Sequence, residues 1–396
     1  MNKIKKLLRA FVKRYQFVYT LYFYAGSLLL RLIGLFVKTD PNLLLFVSYG
    51  GKKFDDSPKV LYEYLAGRGW SSDQKMVWAF IDPAQFPDVP NKVKIDTPAY
   101  YITALKAGYW ITNSSASRGL DFRKKATVNV LFQHGMAGIK TIGEDIKSGN
   151  TSFKQLYHEL FDYIFIEGKK EIPILEKAWD MDRSRFYQTG LPRNDDLANI
   201  SETEILGLKD HFGIPHDKKV ILYAPTFREY SHDSVGQITL TLPFTKEKWE
   251  EKLGDEYVLL VTAHYEVAKL FDNISDGKFV FSAFQYPHVN DLLKISDVLI
   301  SDYSSVVFDY SILERPIFCY GYDYSRYMAE RGFYADLNTL FSHGVIEHEE
   351  DMIEAICSMD YLEECRFTKE RIKDEYICNY GDAASKAAEV IFGRKN

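Results

Sequence analysis

Residues 297–320, DVLISDYSSVVFDYSILERPIFCY, decide how this chain is read. Val298, Leu299 and Ile300 are the short apolar run that a strand buried on both faces requires. Ser301-Asp302-Tyr303-Ser304-Ser305 is a polar turn that opens an apolar helical pattern, and a second apolar run follows Pro316. Strand, turn, helix and strand in that order predict a βαβ unit. In open α/β sheets, the turn at the carboxyl end of such a strand is where ligands bind. Ser304 and Ser305 fall at the predicted helix start, where hydroxyls and unpaired backbone N–H groups meet an arriving anion, phosphate by preference. Taken alone, either serine is more simply explained as an N-cap.

The same alternation extends to both sides. Upstream, LLLFV (43–47), MVWAF (76–80), YWIT (109–112), VNVLF (128–132) and YIFI (163–166) read as parallel strands separated by helical stretches such as SPKVLYEYLAGRG. A polar break covers 194–218, with HFGIPHDKK as turn chemistry. The pattern restarts with VILYA (220–224), YVLLV (257–261), KFVF (278–281), DVLI and IFCY. The expected fold class is therefore α/β, with two Rossmann-like domains facing a cleft. The expected boundaries are an amino-terminal membrane-associating segment at 1–40 and two Rossmann-like domains at 41–205 and 206–396.

The chain has 396 residues and an ordinary globular composition, 46% hydrophobic and 26% charged, enough for two domains. Its four cysteines, Cys319, Cys357, Cys365 and Cys378, form no CxxC pair, so neither a zinc site nor a disulfide framework is indicated, and reduced thiols in the cytoplasm are expected. Charge is uneven: Lys3, Lys5, Lys6, Arg9, Lys13, Arg14, Arg31 and Lys38 precede the first acid, Asp40, whereas the whole chain carries −6. Between Arg14 and Arg31 lies YQFVYTLYFYAGSLLL, shorter than the ~20 residues of a spanning helix and followed at once by Arg31. A basic, aromatic amphipathic helix lying on an anionic membrane surface is the expectation for 1–38.

Several residues stand where strands end. His134 and Gly135 follow VLFQ, where a histidine can take a proton from an attacking hydroxyl and a glycine admits a ligand closely. A loop-capping histidine would stand there equally well. His264 holds the corresponding place after YVLLVTA, and Arg228 follows YAPTF, where a guanidinium can clamp a phosphate. Asp302 and Asp309 are candidates for holding ribose or glycerol hydroxyls or for orienting a histidine. No Walker A loop or GxGxxG fingerprint is present, which argues against a kinase or a dehydrogenase, and the carboxylates are too scattered to define a magnesium site.

The string SDYSSVVFDYSILERPIFCYGYDYSRYMAERGFYADL resembles the signature of the CDP-glycerol glycerophosphotransferases, bacterial enzymes that prime and extend teichoic acid chains. YGGKKFDDSPKVLYEYL, FQHGMAGIKTIG, TGLPRNDDL, LYAPTFRE and TAHYEV match the same family in the same order, so the resemblance spans most of the chain. It implies a GT-B type fold and transfer of glycerol phosphate from CDP-glycerol to a hydroxyl of a polyprenyl-diphosphate-linked saccharide, with CMP leaving, at the cytoplasmic face of the membrane. It implies an acceptor domain at 41–205 and a CDP-donor domain at 206–396 whose final helices cross back to the first, with His134 as base, His264, Arg228, Ser304 and Ser305 on the donor phosphates and Arg331 as a further donor contact. Arg193 and Asn194 of TGLPRNDDL would lie near the cleft. The segment Met136-Ala137-Gly138-Ile139-Lys140 replaces the family's usual Thr-Pro-Leu-Lys type sequence, which bears on acceptor contacts, Lys140 among them. No cofactor is assigned and a divalent metal is left open, while no nucleic-acid partner is expected. CDP-ribitol as donor, a sugar-nucleotide transferase on the same fold and a scaffold without turnover are the competing readings.

Overall fold

The computed structural model describes residues 16–68, 75–142, 159–226, 243–262, 275–284 and 286–393. Two parallel sheets organise them. The first contains β1 (Asp40–Val47), β2 (Lys75–Phe80), β3 (Lys92–Lys94), β4 (Ala107–Thr112), β5 (Val128–Phe132), β6 (Tyr163–Phe165) and β7 (Phe186–Tyr187), in the order β3-β2-β1-β4-β5-β6-β7. The second contains β8 (Lys219–Ala224), β9 (Tyr257–Val261), β10 (Val280–Ser282), β11 (Val298–Ser301), β12 (Ile317–Tyr320) and β13 (Val345–Ile346), in the order β10-β9-β8-β11-β12-β13. Both sheets follow the doubly wound pattern, so each reverses direction once: between β1 and β4, and between β8 and β11. Loops at these two points are where such sheets open a crevice.

The uninterrupted apolar runs follow from burial on both faces. In β1, Leu44 and Phe46 enter one cluster with Leu61, Leu65, Trp78 and Phe80, while Leu43, Leu45 and Val47 enter another with Leu30, Leu105 and Trp110. β8 divides likewise, Val220 and Leu222 packing with Val307 and Phe308, and Ile221 and Tyr223 with Trp249 and Leu253. The turn after β1 requires glycine: Gly51 has φ +85°, and a Cβ there would lie 2.1 Å from Ile95 Cδ1.

Three strands that carry too few apolar residues to register in the sequence, β3, β7 and β13, extend the sheet edges. The polar stretch after residue 194, read as a break, contains the helix Glu202–Phe212. Ser201 caps it by accepting from Glu204 N, and Gly213 ends it at φ +72°. The helix Ala383–Phe392 lies on the first sheet: Ala387, Ala388 and Ile391 enter its core, and Phe392 meets Tyr109 at 5.1 Å between ring centroids. Both carboxylate oxygens of Asp195 accept from the first N–H groups of this helix, Ala383 and Ala384, at 2.8 Å.

The helix Gln16–Phe36 runs through Arg31 instead of stopping there and, at 21 residues, is long and apolar enough to cross a membrane. Arg31 is tolerated because it pairs with Asp121. One face docks on the first domain through Phe23, Ser27 and Leu30, and Ser27 Oγ accepts from Asp121 N at 2.9 Å. The other face leaves Phe17, Leu21, Tyr24, Leu28, Leu35 and Phe36 exposed.

Candidate active site

The carboxyl edges of the two sheets meet around a cavity of about 390 Å³. Tyr49, Asp56, His134 and Arg193 contribute from the first domain, and His288, Ser304, Ser305 and Asp309 from the second. His134 follows β5. Its Nδ1 lies 3.1 Å from the carbonyl oxygen of Asn113, the residue after β4. A carbonyl only accepts, so Nδ1 carries the proton and Nε2 the lone pair. Burial holds the imidazole below its usual pKa; Arg193 and Lys140 push in the same direction, against the opposing pull of Asp56 and the Asn113 carbonyl. At neutral pH His134 is therefore a neutral base with its free nitrogen fixed.

Gly135 is a point of close approach between the domains. A Cβ there would lie 2.6 Å from Ser305 Oγ. The helix Val306–Ser311 begins immediately after Ser305, and Ser304 Oγ accepts from Val306 N at 3.3 Å. The two serines expected to meet the donor thus face the histidine loop across the seam.

Arg193 and Asn194 lie below this surface. Arg193 is 8% exposed and donates to Asp309 Oδ1 at 2.8 Å and to Gln133 O at 2.7 Å, with Asp56 at 3.8 Å and Glu167 at 4.0 Å. Burial opposes its charge, but the three acids outweigh burial and hold the guanidinium protonated. Asn194 donates to both Glu167 and Asp309, and Asn290 donates to Asn194 Oδ1 at 3.3 Å. Burial and then the Asp309 charge push Glu167 well above the usual carboxylate range, and Glu171, buried beneath the histidine loop, is pushed up to about 7. These groups form a pin between domains, with Asp309 and Asn290 as its second-domain half.

Asp302 is 1% exposed and accepts from Thr226 N at 2.8 Å and from Tyr303 N at 2.6 Å, tying the loop after β8 to the loop after β11. Its described hydrogen bonds go to backbone, and it does not line the seam cavity. Lys140 and Arg331 belong to a strap beside the cavity: Lys140 bridges Phe333, Thr141 N donates to Gly332 O at 3.2 Å, and Thr141 Oγ1 donates to Arg331 O at 2.5 Å. Arg228 and His264 lie outside the described residues.

Residues not singled out in the sequence complete the cavity wall. Tyr49 Oη donates to Asp56 Oδ2 at 2.7 Å, and its ring meets His134 edge-on at 6.3 Å. His288, which no strand end marks in the sequence, faces Asp55 at 3.4 Å, and that contact raises its pKa. The motif YGGKKFDDSPK carried the signal for Tyr49, Asp55 and Asp56, whereas nothing in the sequence around His288 did. Among the described residues, no group of three or more His, Cys, Asp or Glu is arranged to hold a metal ion.

Two doubly wound domains joined at their carboxyl edges, with a neutral histidine at the seam, make up a two-domain α/β protein with an interdomain cavity. A family model described as CDP-Glycerol:Poly(glycerophosphate) glycerophosphotransferase matches residues 29–392, and the chain belongs to that family. The teichoic acid glycerol-phosphate transferase of Staphylococcus aureus is 30% identical over 371 residues, 89% of this chain and 93% of the relative. The teichoic acid poly(glycerol phosphate) polymerase of Staphylococcus epidermidis is 34% identical over 308 residues, 74% of this chain and 42% of the relative, so the chain spans less than half of that protein. The solved structure of the wall teichoic acid polymerase TagF superposes with a TM-score of 0.80 at 28% identity, covering 96% of this chain and 97% of that one. A variant of TagF soaked with CDPG matches equally well.

Proposed function

We propose that the protein transfers glycerol phosphate from CDP-glycerol to a hydroxyl of a polyprenyl-linked acceptor at the cytoplasmic face of the membrane. The observation that carries this reading is the fixed tautomer of His134 at the domain seam, opposite Ser304 and Ser305. The acceptor hydroxyl attacks the phosphorus bearing glycerol while His134 Nε2 takes its proton. The bond from that phosphorus to the CMP oxygen breaks, and CMP leaves with both electrons. Ser304 and Ser305 meet the donor phosphates, joined by Arg228 and His264, which follow β8 and β9 in the chain. Most of the rate in phosphoryl transfer comes from such positioning and electrostatics. Enclosure between the domains keeps out water, the competing nucleophile.

The exposed apolar face of the helix Gln16–Phe36, preceded by six basic residues between Lys3 and Arg14, supports a membrane-surface location close to the lipid-linked acceptor. CMP release with CDP-glycerol and CDP-ribitol in parallel, each with a lipid-linked disaccharide with and without one glycerol phosphate attached, tests the function. Release with CDP-glycerol alone supports the proposal. Release only with CDP-ribitol moves the donor assignment, and no release from folded protein removes the transferase reading.

A further inference from the structure

A second cavity, of about 280 Å³, adjoins His134 on the side of the first domain, between the ends of β4 and β5 and the end of the helix Glu171–Trp179. Its character differs from that of the seam. Asn113, Ser114, Ser115 and Ser117 supply polar groups, Glu159 is the single carboxylate, and Trp179 supplies an indole wall. Among the described residues lining it there is no lysine or arginine. Glu159 accepts from Ser117 Oγ at 2.9 Å, from Ser115 Oγ, and from Asn129 Nδ2 at 3.0 Å. A carboxylate with no lining lysine or arginine repels a phosphate and suits hydroxyls, which donate to it.

Asn113 gives the independent pointer. It is fully buried, its carbonyl fixes His134, and its Oδ1 accepts from Tyr49 N at 2.7 Å, but its Nδ2 has no hydrogen-bond partner among the described residues. A buried amide donor left unmade costs about 1–3 kcal/mol, so one retained at a cavity beside the base calls for a ligand oxygen.

We infer that this groove binds the uncharged, hydroxyl-bearing end of the acceptor, a terminal polyol or sugar, with Asn113 Nδ2 and the Ser115–Glu159 pair reading its hydroxyls and Trp179 packing on its carbon face. His134 lines both cavities, so a hydroxyl seated here and a donor in the seam would share the same imidazole. The inference rests on the transferase reading and deepens it by assigning the acceptor's end a separate site whose described lining holds no lysine or arginine.

Asn113→Asp keeps the acceptor oxygen for Tyr49 and removes the donor, and Ser115→Ala removes one hydroxyl with little risk to folding. Both are expected to raise the acceptor KM at least tenfold while leaving the KM for CDP-glycerol within twofold. An acceptor end-capped with a phosphomonoester should compete at least tenfold more weakly than one with free hydroxyls. Unchanged acceptor KM in both variants, a parallel rise in donor KM, or equal competition by the capped acceptor overturns the assignment. Calorimetry with acceptor alone separates the two levels. Acceptor binding that weakens in the variants supports the groove even if wild-type CMP release fails, and binding that the variants leave intact sinks the groove even if release succeeds.

Discussion

The seam cavity and the groove beside it share one residue, His134, and otherwise handle charge in opposite ways. At the seam, Arg193, Asp309 and Asp56 are mutually paired, and Arg193 and Asp309 are buried in a network that also takes in Asn194, Glu167 and Asn290. In the groove, hydroxyls and an amide surround one carboxylate, and Asn113 Nδ2 is left unmade. Charges already committed to one another hold the domains together, and uncommitted dipoles are the groups available to a substrate. The comparison separates residues that position from residues that contact, although both kinds stand at strand ends.

Breaking the shared residue gives the largest effect. His134→Ala should lower kcat by about 10²–10⁴-fold, the range for loss of a positioned base, with an unchanged melting curve. Near wild-type turnover would remove it from the chemistry. Arg193→Met should act instead on stability, because it leaves Asp309 and Glu167 buried without their cation. Breaking a buried pair in this way costs about 3–5 kcal/mol, to be read from denaturant unfolding. If Arg193→Met kept full stability and lost only donor affinity, the pin would be a binding residue and the contrast between the cavities would fail. Gly135→Ala should destabilise by about 1–3 kcal/mol through contact with Ser305 Oγ. Adding Ser305→Ala should recover most of that loss, since the nearest remaining atom, Ser305 Cβ, lies 3.6 Å away.

The sequence made the strands and their ends legible, because burial on both faces writes unbroken apolar runs such as YVLLV and VNVLF. His134, Gly135, Ser304 and Ser305 were found for the same reason: they follow those runs. Edge strands of two or three residues, such as β7 and β13, leave no such trace. Partnership across the seam was also invisible. Arg193 and Asp309 are 116 residues apart, and which arginine is spent on a carboxylate depends on a contact that no local pattern encodes. Asp302 shows the same limit, since nothing local in the sequence says that its carboxylate accepts from Thr226 N and Tyr303 N and so ties the loop after β8 to the loop after β11.

The smallest effect sharpens the account of the base. Catalysis needs the neutral imidazole, so kcat/KM for the acceptor should rise with pH as His134 loses its proton and then level off. Because burial lowers the pKa, the midpoint of that rise should fall below the usual 6.5. Lys140 contributes by disfavouring the imidazolium, even though its backbone bridges Phe333 in the strap outside the seam cavity. Lys140→Ala should therefore move the midpoint upward while leaving the plateau rate near wild type. A lowered plateau with an unmoved midpoint would instead place Lys140 on a substrate, making the strap part of the site and the division between positioning and contacting residues less sharp than the two cavities suggest.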